Sequence, residues 1–304
     1  MNLSDVVSRD ALVRDAAFVT LGYVDSKRSG VLAYADTATF LARALSNAAL
    51  AGLVTTPSLA ATLDRPIGLA VSNTPRDLFY DIHEKFVREN LYTKSFEEGI
   101  GLHCRIHPTA IIEAGARIGN HTTIGEHAII RSHVSIGSGV TIEPGVKIGM
   151  EGILYRKTIS GPRLIPHGGF VIVDDGAILM TNAVVVRAVH DTEDTVIGAS
   201  SLIGLSSIIG HEAKIGTRAV VSNNCVVARR SVIGEDAFLG TNVTIKENLR
   251  IGHHARIMAG SVVVTPVADG KAVSGNFATD HSARMLAFSR SEAVSRQGRF
   301  ERGD

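Results

Sequence analysis

The sequence predicts a mainly β fold: a solenoid of short strands, with a small α/β domain before it and a helix after it. Three observations carry that expectation. They are a six-residue aliphatic period, a glycine excess tied to that period, and a first hundred residues that lack it. The period runs from Ile106 through Ile112, Ile118, Ile124, Ile130, Ile136, Ile142 and Ile148. A second run starts at Ile197 and ends at Val263, with Ile, Val or Leu at every step. Gly follows 11 of these 20 anchors, although only 30 of 304 residues are Gly. Four residues after an anchor the side chain is mostly small or β-branched, as at Ala110, Thr122, Ala213, Cys225 and Ser231. A helix repeats at 3.6 and a strand at two, so a strict six fits a stack of short strands with a turn in each hexad. The anchors fill its interior.

Composition agrees and excludes several classes. Hydrophobic residues make up 45%, aromatics 5%, and Trp is absent, so the core is aliphatic and the chain is not disordered. A net charge of +1 gives no global attraction to nucleic acid. Two cysteines, Cys104 and Cys225, make no disulfide framework, and Cys225 falls in an inward small-residue slot. The N-terminus lacks a signal-peptide core, and no apolar run reaches the roughly 18 residues of a membrane span. A cytoplasmic protein without a transmembrane segment is expected.

Residues 1–100 read as strands (GVLAY, GLVTT, IGLAVS) alternating with helices. The segment TATFLARALSN sets Phe40, Leu41 and Leu45 on one side. Thr74 is placed to cap the next helix, Pro75 suits its first turn, and Leu78, Ile82 and Phe86 form its apolar stripe. LYTKSFEEGIG (91–101) reads as a linker. The solenoid spans 101–265, interrupted at 149–196, where Ile172, Ile178 and Val184 keep the period briefly. Within the interruption YRKTISGPRLIPHGG reads as an extruded loop and AVHDTEDT as a bulge. Residues 266–304 form an exit loop and a mildly basic helix at 282–300, suited to an acidic carrier protein or a phosphate, or simply a solvated tail.

The hexads resemble those of hexapeptide-repeat, left-handed parallel β-helix proteins, with three hexads per triangular coil. That resemblance implies a homotrimer with active sites between neighbouring prisms. The order of domains is similar to that of the UDP-3-O-acylglucosamine N-acyltransferases of lipid A synthesis, and so are SNTPRDLF (72–79), IPHGGFVIVDD (165–175), DTVIG (194–198) and IGHE (209–212). The family likeness implies an acyltransferase with no permanently bound cofactor. It would take an acyl-acyl carrier protein or acyl-CoA donor and a nucleotide-linked amino sugar as acceptor. It implies a uridine-recognition role for residues 1–100, with Tyr34 and Phe40 sandwiching the base, and it puts the catalytic histidine at His211. A histidine with an ordinary pKa near 6.5 suits removal of the amine proton as the amide forms. His211 follows the anchor pair Ile209–Gly210, a corner expected to face outward into a cleft, with Glu212 beside it to orient the ring. One coil further lies Arg229, whose backbone N–H is the expected oxyanion donor.

The chain also departs from the family pattern. Gly204 and Leu205 replace an Asp-Asn pair, Glu212 replaces Asn, Arg229 replaces Gly, and Asn248 stands at a second functional histidine. An acidic residue after the histidine is instead similar to bacterial nucleotide-amino-sugar N-acetyltransferases. Two alternatives therefore stand beside the first reading: a short-chain acyl-CoA enzyme for surface polysaccharide, and a non-catalytic β-helix that binds a nucleotide sugar. His121, His127 and His133 repeat at six, but successive hexads occupy different sides of the prism, so no metal site is expected there.

Overall fold

The computed structural model describes residues 1–275. The expected helix at 282–300 and its arginines lie outside the described residues.

The first domain is a five-stranded sheet of β1 (Leu12–Arg14), β2 (Thr20–Leu21), β3 (Val31–Ala35), β4 (Leu50–Thr55) and β5 (Gly68–Val71). Their order is β1-β5-β4-β3-β2, parallel except for β1. Helix α1 (Ala38–Ser46) joins β3 to β4, α2 (Pro57–Ala60) joins β4 to β5, and α3 (Pro75–Arg88) follows β5. Strand residues alternate between two faces. Val31, Ala33 and Leu53 pack with Leu41 of α1, while Leu32 and Val54 pack with Phe79, Ile82 and Phe86 of α3. Both faces are covered, as a mostly parallel sheet requires. Burying Phe79 and Phe86 contributes about 3 kcal/mol each at most.

Two local expectations change. The buried face of α1 is Leu41 and Ala44, while Phe40 and Leu45 are exposed. Thr74 sits at the N-cap of α3 without a side-chain capping bond; Pro75 does start the helix.

From Gly99–Ile100 to Ala272–Val273 the chain winds as a left-handed β-helix whose three parallel sheets have nine, eight and eight strands. Each regular hexad pairs with the one three hexads on, as Thr123–Ile124 does with Thr141–Ile142. The anchors and small residues make one continuous interior, in which Ala213, Ala219 and Cys225 are fully buried. The Gly slot exists because adjacent coils touch there. A Cβ on Gly234 would sit 2.5 Å from the Gly252 carbonyl carbon of the next coil. The third residue after an anchor takes a left-handed conformation at most corners, as at His121, His127 and His133. These three corners lead into three different sheets, so the side chains diverge as expected.

Two insertions break the stack. The first carries the β-hairpin Tyr155–Thr158/Gly161–Leu164. It shifts the pairing of Ile148 to Val185 and of Ile142 to Leu179, an offset one residue longer than a whole number of hexads. The inward positions are therefore Val173, Leu179 and Val185. The expected Ile172, Ile178 and Val184 point away from the interior, with Ile178 39% exposed. The second insertion, near 188–193, adds one full hexad and leaves the phase intact, so Leu179 pairs with Ile203.

Both insertions fasten the two domains together. Arg156 of the hairpin, only 7% exposed, pairs with Asp81 (2.6 Å) and Glu84 (2.9 Å) of α3. Arg76 of α3 donates to the Tyr155 carbonyl at 3.0 Å. In the second insertion buried Asp191 accepts from Thr20 and pairs with Arg28 at 2.9 Å. Val189 and Ile165 complete the core under α3.

Candidate active site

Gly210 brings two coils together beside His211. A Cβ there would lie 2.8 Å from the Arg229 nitrogen, and Arg230 N–H donates to the His211 carbonyl at 3.0 Å. The Arg229 N–H has no hydrogen-bond partner among the described residues. Glu212 is a corner residue with φ of 61°, fixed by its N–H donating to Thr195 Oγ1 at 2.7 Å.

His211 does not face outward. It is 5% exposed and Glu212 3%. The first insertion folds back over the corner: a Cβ on Gly152 would lie 3.5 Å from His211 Cδ2, and the His167 ring stands edge-on at 5.4 Å. The neighbouring side chains also converge. Glu212 Oε2 is 3.4 Å from His211 Nδ1, while Oε1 accepts from Val189 N–H and from the Tyr23 hydroxyl, both at 3.1 Å. Burial pushes the Glu212 carboxyl up, but hydrogen bonds from His211 and Val189 and the nearby charge of Arg230 outweigh it and hold it below its usual value. Glu212 is therefore an anion, and His211 carries its proton on Nδ1, with Nε2 left as the basic nitrogen. Among the described residues no protein group bonds His211 Nε2.

Tyr34, Phe40, Arg229 and Asn248 line one cleft of about 740 Å³ between the first domain and the β-helix. His211 and Glu212 do not line it; they lie behind Tyr23, which does. Tyr34 is half-buried, with its ring 5.1 Å from Phe79 and 6.0 Å from Tyr80, so it belongs to both core and cleft. Phe40 is 40% exposed with Arg43 against its ring. Asn248 is an exposed corner residue whose N–H donates to the Arg229 carbonyl. Arg43, Arg76, Arg229 and Arg230 give the cleft a cationic wall against Asp25 and Asp36.

Sequence reasoning missed a buried aromatic cluster next to this pair. His83 of α3 donates from Nε2 to the Pro166 carbonyl (2.7 Å), so its Nδ1 accepts from Tyr92 (2.5 Å). Tyr92 also meets His190 Nδ1 at 3.2 Å. Burial lowers His83 to about 4 and His167 to about 4, the latter helped by His211, and pushes His190 well below its usual value. Among the described residues the buried Nε2 atoms of His167 and His190 have no hydrogen-bond partner. The legible signal was that His167 and His190 sit inside the two breaks of the period. The partner of His190, Tyr92, lies 98 residues away and was not legible.

Comparison with known proteins follows the repeats. The chain matches the family described as bacterial transferase hexapeptide (six repeats) over residues 230–265. It matches the hexapeptide repeat of succinyl-transferase over 111–149 and 194–229. These matches show hexapeptide repeats of the kind found in bacterial acyl-transferring enzymes, as the sequence predicts. A UDP-N-acetylglucosamine acyltransferase from Campylobacter jejuni shares the fold at 21% identity and a TM-score of 0.53, over 66% of this chain and 78% of that one. One from Arabidopsis aligns at 21% identity and a TM-score of 0.43, over 56% and 71%. A perosamine N-acetyltransferase from Caulobacter crescentus, in complex with CoA and GDP-perosamine, aligns at 16% identity and a TM-score of 0.28, over 83% and 98%. Among curated proteins no sequence relative matches. Among the described residues no helix is long and apolar enough to cross a membrane.

Proposed function

We propose that the protein is an N-acyltransferase that moves an acyl group from a thioester to the amine of a nucleotide-linked amino sugar. The observation that carries this reading is the buried His211–Glu212 pair, joined through Tyr23 to a cationic, aromatic cleft between the first domain and the β-helix. In this reading Tyr34 and Phe40 hold the flat base, and the arginines of the cleft hold the diphosphate. The neutral amine attacks the thioester carbon. His211 Nε2 takes the amine proton as the C–N bond forms, and Glu212 stabilises the resulting imidazolium. The unpaired Arg229 N–H receives the oxyanion. The C–S bond then breaks, and the proton passes from His211 to the departing thiolate sulfur.

The charged lining favours a short acyl group carried on CoA over a long aliphatic chain from an acyl carrier, because arginines suit phosphates rather than methylenes. One face of the prism supports a homotrimer: Ile111, Ile208, Val226 and Val262 of a single sheet are all exposed and apolar. The burial of His211 favours a second reading, a non-catalytic β-helix that binds a nucleotide sugar.

A screen of acyl-CoA and acyl-carrier thioesters against UDP- and GDP-linked amino sugars, read by mass spectrometry, separates these readings. Acyl transfer predicts an amide product and release of the thiol. His211→Asn is then expected to lower kcat by about 10²- to 10⁴-fold with an unchanged circular dichroism spectrum. Nucleotide-sugar binding without product from any pair would establish the second reading.

A further inference from the structure

We infer that Tyr23 is a positioning residue that ties occupation of the cleft to the orientation of the His211–Glu212 pair. The inference rests on the acyl-transfer reading of that pair.

Tyr23 lies just beyond β2 and belongs to two environments at once. Its hydroxyl donates to Glu212 Oε1, and its side chain lines the cleft. It is the single side chain of the first domain that bonds the pair among the described residues. Tyr23 and Val189 N–H together occupy Oε1, which leaves Oε2 turned toward His211 Nδ1. Without the hydroxyl, the carboxylate is free to rotate and its charge is less shared.

The ring is held from the cleft side. The Arg230 guanidinium lies 4.3 Å over it and the His190 ring stands edge-on at 5.1 Å. Arg230 is fixed in turn by Asp25 at 3.1 Å, and Arg43 reaches the same carboxylate at 2.6 Å. Asp25, Arg43 and Arg230 all line the cleft. A diphosphate entering it competes with Asp25 for both arginines, so binding alters the clamp on the Tyr23 ring and, through the hydroxyl, the pair. The phenol remains a donor throughout, because burial and the Glu212 charge keep it protonated. The groups that face His211 are Glu212 beside it and His167 from the first insertion. His190 interacts with His211 through charge, and Arg230 with Glu212.

Tyr23→Phe keeps the ring and removes the hydroxyl. In the full chain we expect kcat to fall about tenfold, the loss of one hydrogen bond to a charged group, with KM for the sugar unchanged. The acid limb of the pH profile should move up, because Glu212 then concentrates its charge on His211. A second readout does not need turnover. The His211 imidazole, followed by NMR in ¹⁵N-histidine-labelled protein and assigned with His211→Asn, should shift when UDP is added to the wild type and stay still in Tyr23→Phe. Arg230→Gln, which keeps the hydroxyl, should also uncouple the signal from UDP. An unchanged kcat and pH profile in Tyr23→Phe, or a His211 signal that responds to UDP as fully as in the wild type, would overturn the inference. Absence of turnover in the wild type would sink the acyl-transfer reading alone, since the NMR coupling is measured without a donor.

Discussion

The β-helix and the seam where the first domain meets it follow opposite rules. In the β-helix each coil touches only its neighbours, and the same few residue types recur at the same corners. In the seam nothing repeats: Arg156 with Asp81 and Glu84, Asp191 with Arg28, and His190 with Tyr92 are each made once, between distant segments. The β-helix supplies the corner that carries His211, and the seam supplies what surrounds it. A rigid repeat can hold a reactive side chain, but its chemistry here is set by partners from outside the repeat, Tyr23 and Val189 on Glu212 and His167 on His211.

The largest effect on stability is expected inside the repeat. Ile233 is 1% exposed in the continuous aliphatic interior. Ile233→Ala removes three methyl or methylene groups from a site whose neighbours cannot collapse without breaking coil-to-coil contact. The cost should be about 2–5 kcal/mol, read as a shift of the denaturant midpoint at constant slope. A cost below about 1 kcal/mol would mean that the coils adjust to one another far more freely than their close backbone contacts imply.

Acid should open the seam before the β-helix. His83 and His167 titrate near 4 in the folded protein, against about 6.5 in the unfolded chain. Above 6.5 both states hold them neutral and they contribute no pH dependence. As the pH falls from 6.5 toward 4 the unfolded chain takes up protons that the folded seam refuses, so stability is lost. The slope is about 1.4 kcal/mol per pH unit for each histidine. Thermal unfolding at pH 7.5, 6 and 5 should show this slope, and His83→Gln should remove one histidine's share of it. A flat profile across this window would show that the seam hydrates before it unfolds. Among the described residues, the titratable members of the aliphatic interior of the β-helix are thiols, Cys225 within it and Cys104 at its edge.

The same contrast explains what was legible in the sequence. The anchors, the Gly slot and the buried Cys225 could be read because a solenoid uses local rules, and each anchor announces the next. The phase slip at Val173, Leu179 and Val185 could not, because it depends on how many residues the hairpin absorbs. Tyr34, Phe40, Arg229 and Asn248 could be named from family likeness and do share one cleft. The burial of His211 was not legible, since the covering Gly152 and His167 lie in an insertion without a pattern. His83, Tyr92 and His190 were hidden for a related reason: hydrogen bonds across 98 residues leave no trace in local spacing.

The smallest effect on folding is expected at Phe40, where the two rules can be told apart in one helix. Leu41 packs into the sheet, while Phe40, its neighbour, turns its ring toward the cleft beside Arg43. Phe40→Ala should change stability by no more than about 0.5 kcal/mol, as for a surface residue. If its ring stacks on the nucleotide base, the same substitution should weaken UDP binding by about 1 kcal/mol, roughly fivefold in Kd, when measured by calorimetry. Lost stability with unchanged affinity would return Phe40 to the core of the first domain. Lost affinity with unchanged stability is the result expected of a residue placed for a ligand, because an exposed ring contributes little to a fold that buries Leu41 and Ala44 instead.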